Sequence, residues 1–163
     1  MYKTIEQQFL ASLSMLRGVV DLCPDALWFD NKQRHSVWHI AYHATFYADL
    51  YTCINHKAFR HKEFHIDGCH SLDFKNSKGE ILVEATGYPK PIVVDYIKSL
   101  EISIGDRIGQ AKLEDESGFP WIPMNKLGLH IYNIRHIQHH MAQLNERVVA
   151  VNGCGVGWVG KVG

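Results

Sequence analysis

The sequence predicts an all-α protein, a four-helix bundle with a long crossover connection between its second and third helices. Three observations lead there. Apolar residues recur at helical spacing in four separate stretches, and prolines at positions 24, 91 and 123 punctuate the chain between them. No stretch alternates with the period of two that a half-buried strand requires. One connection is far longer than the others, which fits a bundle with a crossover rather than a series of hairpins.

The elements follow in order. Residues 3–20 carry Ile5, Phe9, Leu13, Leu16 and Val20 at helical spacing, and the Cys23-Pro24 step closes this helix because a residue before proline avoids helical angles. Residues 25–35 read as a polar connection. Ser36 is a suitable N-cap for a second helix over 36–55, whose inner face holds His39, Ile40, His43, Phe46, Tyr47, Leu50 and Ile54. Residues 56–90 show no sustained period. About 35 residues is well above the usual connection length, so the segment is read as a crossover or a lid, the least ordered part of the chain. Pro91 suits the first position of a third helix over 91–111, with Val93, Tyr96, Ile97, Leu100, Ile104 and Ile108 inward. A fourth helix over 125–150 has Leu129, Ile131, Ile134, Ile137, Met141 and Leu144 spread nearly all round, which predicts a central, buried helix.

Composition narrows the function. The 163 residues suit one domain, 1–163, and 46% hydrophobic with 21% charged residues is ordinary for a globular protein. Lysine plus arginine equals aspartate plus glutamate, 17 each, so there is no basic field to draw nucleic acid or an anionic membrane. No apolar run approaches the ~20 residues of a membrane span, and the N-terminus lacks a signal-peptide core. Cys23, Cys53, Cys69 and Cys154 have no Cys-x-x-Cys spacing and are read as reduced, inert thiols of a cytoplasmic protein. Histidine is the anomaly, with 11 in one small neutral chain.

His136, His139 and His140 lie in the fourth helix. His136 and His140 are four residues apart, one turn above each other, with Cβ atoms roughly 6 Å apart. His43 lies on the inward face of the second helix. Buried imidazoles without partners are unfavourable, and one divalent ion satisfies all three. A metalloprotease motif would need glutamate after the first histidine, where Ile137 stands, and there are no Glu-x-x-His pairs for a di-iron bundle. A mononuclear three-histidine site with open positions remains. His39 and Tyr47 are read as pocket or supporting residues, and His139, about 60° round the helix from His136, as a group bonding between helices. His56, His61, His65 and His70 are read as solvated. Gly155-Val-Gly-Trp-Val-Gly160 matches the dinucleotide fingerprint by chance, since it follows a helix, precedes none, and reads as a flexible tail.

Ser36-Val-Trp-His-Ile-Ala-Tyr-His-Ala-Thr-Phe-Tyr-Ala-Asp-Leu-Tyr51 and Tyr132-Asn-Ile-Arg-His-Ile-Gln-His-His-Met-Ala-Gln-Leu144 resemble the two signature helices of the DinB-like (DinB/YfiT-like) superfamily, and the Trp158-Val-Gly-Lys161 tail extends the likeness. The resemblance implies a four-helix bundle holding one divalent transition metal, Zn, Ni or Fe, on His43, His136 and His140. It implies a metal-dependent enzyme, a thiol-dependent S-transferase or a hydrolase, acting on a small-molecule substrate with a low-molecular-weight thiol, and pairing as a homodimer. The alternative is a non-catalytic metal-binding stress-response protein. Imidazole ligation suits several first-row metals, so the residues leave the metal open.

Overall fold

Phe9, Leu13, Leu16 and Val20 are fully buried, and their spacing puts them on one stripe of the first helix. The computed structural model describes residues 1–73, 75–80 and 87–162. Helix α1 spans Tyr2–Leu22, α2 Asp25–Trp28, α3 Val37–Thr52, α4 Lys90–Gly109 and α5 Lys126–Asn152. Among the described residues there is no strand, and Glu116 and Asn125 form an isolated bridge. The chain is all-helical, as its periodicity predicts. Helix α1 packs against α4 and α5, and α3 packs against the same two helices. Ile97, Leu100, Ile104 and Ile108 of α4 and Ile137, Leu144 and Val148 of α5 close the core with the α1 stripe.

Several expectations change. The connection after Pro24 contains the one-turn helix α2, which buries Trp28 and lets its indole N–H donate to the Tyr88 carbonyl at 2.8 Å. Helix α3 stops at Thr52, leaving Ile54 exposed. Ser36 is its N-cap residue, without a side-chain capping bond. Pro91 sits in the first turn of α4, one place after Lys90. Helix α5 is amphipathic rather than buried all round: Ile131 and Tyr132 are exposed, because α1 and α3 cover only part of its circumference. Nor is the C-terminal tail loose. Val156 packs on the core, its N–H donates to Asn145 Oδ1 at 2.8 Å, and Gln8 donates to the Gly160 carbonyl at 3.1 Å. Gly18 leaves the room, since a β-carbon there would stand 3.1 Å from Val156.

The 56–90 connection differs most from expectation. Its described part is packed structure: Cys69 and Tyr88 are buried, Phe59, Phe64 and Leu72 lean on the core, and turns close at His65, Cys69 and Ser71. Apolar side chains placed without a period can still be buried when the chain winds over a helix. The expectation for Phe74 and residues 81–86 lies outside the described residues.

Helix α3 is fixed by polar ties as well as packing. Asp49, 2% exposed, accepts from the Tyr96 hydroxyl at 2.6 Å and from the Arg107 guanidinium, both on α4. At the helix C-terminus the buried Lys126 ammonium donates to the carbonyls of Cys53 at 3.1 Å, Ile54 at 2.7 Å and Ser117. A cation there meets the negative end of the helix dipole. Gly118, at φ 80°, brings its strand of loop against Ile54, where a β-carbon would lie 2.6 Å from the Ile54 carbonyl oxygen. Removing one partner of a buried ion pair strands the other, so Asp49→Ala is expected to lower unfolding stability by about 3 kcal/mol, measured by urea denaturation. A loss below about 1 kcal/mol would show that Arg107 finds water instead.

Candidate metal centre

Helix α3 supplies His43 and α5 supplies His136 and His140, and the relative placement of these helices decides the site. Asn133, fully buried one turn before His136, ties them by donating from Nδ2 to the Ala48 carbonyl at 3.3 Å. The three imidazoles each present a ring nitrogen within 4.8 Å of the others. Nε2 of His43 lies 3.0 Å, and Nε2 of His140 3.1 Å, from Nε2 of His136.

Outer partners fix which nitrogens carry protons. His43 Nδ1 lies 2.7 Å from the His70 carbonyl, which can only accept, so His43 is the Nδ1–H tautomer. His140 Nδ1 lies 2.9 Å from Gln143 Oε1 and is held the same way. Both Nε2 atoms therefore turn lone pairs towards His136. A neutral His136 has at most one Nε2 proton to share between two lone pairs, and its Nδ1 is buried without a protein partner. A cation accepts all three lone pairs at once, and the donor set fits a divalent metal of the imidazole-binding class. Burial keeps the rings neutral: His43 falls to about 3 and His136 to about 4, and His140 falls as well, in each case through loss of hydration first and neighbouring positive charge after it.

The other expected residues are placed plainly. Tyr47 lies against the centre, its ring 4.8 Å from that of His43 and 5.6 Å from that of His136. Burial raises its hydroxyl to about 12, so it stays protonated at neutral pH. His39 is fully buried but turns away: Nε2 lies 3.0 Å from the Ser71 carbonyl and the ring stacks on Trp38 at 5.0 Å. It pins the connection to α3 rather than lining the centre. His139 is exposed, its ring 5.0 Å edge-on to His140, and it makes no bond between helices. With Tyr132, Arg135, His136 and Gln138 it lines a surface cleft of about 420 Å³ that reaches His136 from outside. A larger cleft, about 610 Å³, runs along residues 114–125, and its lining has no histidine or cysteine. Burial pushes the Cys53 thiol up, which favours its protonated form at neutral pH.

Sequence reasoning missed two supports. Gln143 stands three residues after His140, a spacing that could have revealed it. The His70 carbonyl has no sequence signal, since every residue owns one. Comparisons with protein-family models, curated proteins and solved structures return no match.

Eight of the 11 histidines, residues 35, 39, 43, 65, 70, 130, 136 and 140, have lowered pKa values with burial as the leading cause. The unfolded chain binds protons near 6.5 and the folded chain does not, so stability is full above that pH and falls as pH drops towards 4 and 3. Urea midpoints of the metal-free protein are expected to fall steadily between pH 7 and pH 4; a flat profile would contradict neutral burial.

Proposed function

We propose that the chain is a DinB-like four-helix bundle that holds one divalent transition metal on His43, His136 and His140 and acts as a metal-dependent enzyme on a small molecule. Thiol-dependent S-transfer is the leading reaction and hydrolysis the neighbouring one. The observation that carries the reading is the set of three Nε2 atoms converging with two lone pairs fixed by outer acceptors. The packing supports it, because α1 and α3 each contact both α4 and α5, as diagonal helices of a bundle do. So does the likeness of 36–51 and 132–144 to the two signature helices.

When bound, such an ion lowers the pKa of a thiol or water and supplies a nucleophile near neutral pH. The chain's own groups do the rest. His70 and Gln143 keep two imidazoles in the ligating tautomer and orientation. Tyr47, protonated and packed on His43 and His136, offers an O–H donor to a leaving or developing negative atom. The cleft beside His136 admits a small substrate, and Arg135 on its wall gives an anionic substrate a partner. The three-histidine group contains no carboxylate, and in this reading the activated nucleophile itself serves as the base.

Metal titration tests this. His140→Ala is expected to weaken binding by more than about 100-fold, and Gln143→Leu by about 10-fold, the scale for an outer partner, while exposed His139→Ala leaves affinity unchanged. Loss of metal in His139→Ala with retention in His140→Ala would overturn the ligand set. Turnover of the loaded protein, assayed with thiols and a soluble electrophile, should vanish in His140→Ala. If the loaded wild type turns over neither thiol nor ester substrates, the ion is a structural fastening and the protein a non-catalytic metal binder.

A further inference from the structure

The connection after α3 carries four histidines, and the structure sorts them. His56 bonds the Gly118 carbonyl at 3.0 Å. His65 and His70 are not solvated as their polar surroundings predict. They turn inward over Phe46, with ring centroids 5.2 and 4.6 Å from it. His61 lies flat on His65 at 4.2 Å with an interplanar angle of 11°. A ring nitrogen of His65, one of His70 and a carboxylate oxygen of Asp67 lie within 4.8 Å of one another.

Two hydroxyls border this group. The Ile66 N–H donates to the Tyr88 hydroxyl at 2.8 Å, and His65 Nδ1 lies 2.6 Å from the Tyr42 hydroxyl. That hydroxyl can accept the proton of an Nδ1–H tautomer, which leaves the Nε2 lone pair for a cation. His65 Nε2 is buried without a protein partner. His70 Nδ1 is also buried without one. Asp67 is oriented by Ser77, whose N–H donates at 3.0 Å and whose hydroxyl donates at 2.7 Å to Oδ2. A carboxylate has about four lone-pair sites, so capacity remains. A water offers two protons, whereas a cation can meet an imidazole lone pair, a second imidazole and a carboxylate together.

We propose that His65, Asp67 and His70 form a second divalent-metal site, of the zinc class, in the connection between α3 and α4. Two imidazoles and a carboxylate are a known zinc donor set with room for water or a small ligand, and Ser77 and Tyr42 are the outer partners such a site needs. The site does not depend on the three-histidine centre, but it touches it. His70 gives its side chain to this site and its carbonyl to His43.

Zinc stoichiometry decides the matter. Tag-free protein, stripped with chelator and dialysed against low-micromolar zinc, is expected to hold two equivalents. His140→Ala should retain one, Asp67→Ala should retain one, and the double variant should hold none. Asp67 is exposed, so Asp67→Ala should keep the wild-type urea midpoint when metal-free; His65→Phe, which keeps the ring stack, provides the second loop variant. One equivalent in the wild type, lost in His140→Ala and kept in Asp67→Ala, overturns the second site. Two equivalents surviving in both loop variants overturns it as well. A single equivalent lost in Asp67→Ala and His65→Phe but kept in His140→Ala supports the loop site and removes the three-histidine reading instead.

Discussion

The placement of α3 depends on a set of polar ties that permit one register. Asp49 is held from α4 by Tyr96 and Arg107, and Asn133 reaches the Ala48 carbonyl from α5. Lys126 holds the last carbonyls from beyond the helix. Apolar packing alone tolerates sliding, because hydrophobic attraction has little direction. Hydrogen bonds to buried groups do not, since a shift leaves each group unpaired. His43 sits between Asp49 and the N-terminus of α3, so whatever fixes Asp49 also fixes the distance from His43 to α5.

That register makes buried imidazoles tolerable. A neutral ring asks for one donor and one acceptor contact, and in this fold the acceptors are mostly main-chain carbonyls of the connection: Ser71 for His39 and His70 for His43. For His43 that bond consumes the proton and turns the Nε2 lone pair towards His136, so a carbonyl-held histidine becomes a ligand by subtraction. His65 meets a tyrosine hydroxyl at Nδ1 in place of a carbonyl. Desolvation works in the same direction, because it disfavours the imidazolium that would repel a cation.

Much of this was legible in the residues. The stripe Phe9, Leu13, Leu16 and Val20 and the stripe Ile97, Leu100, Ile104 and Ile108 specify their helices by period alone, and all eight are buried. His136 and His140 announce a shared face by spacing, and His43 by its place among apolar residues. What the pattern could not carry is tertiary. Ile131 reads as core by type, yet α1 and α3 cover only part of α5, and it is exposed. His39 shares a face with His43 and still turns to another partner, because that partner is a carbonyl without sequence identity. The connection hid its order for the same reason: its anchors are single residues in an aperiodic stretch, which leave no period to detect.

Those anchors crowd into residues 65–71. His65 meets Tyr42, the Ile66 N–H meets the Tyr88 hydroxyl, His70 gives its carbonyl to His43, and Ser71 gives its own to His39. Segments with this many fixed points behave as a template whose spacing is the message. A change of residue type at exposed Glu63, outside the stretch, alters chemistry locally. One residue added or removed inside it would put every later contact out of phase, so carbonyls would arrive where rings are needed. The stretch can therefore vary in composition wherever a side chain faces water, while its length is the quantity that the fold holds constant.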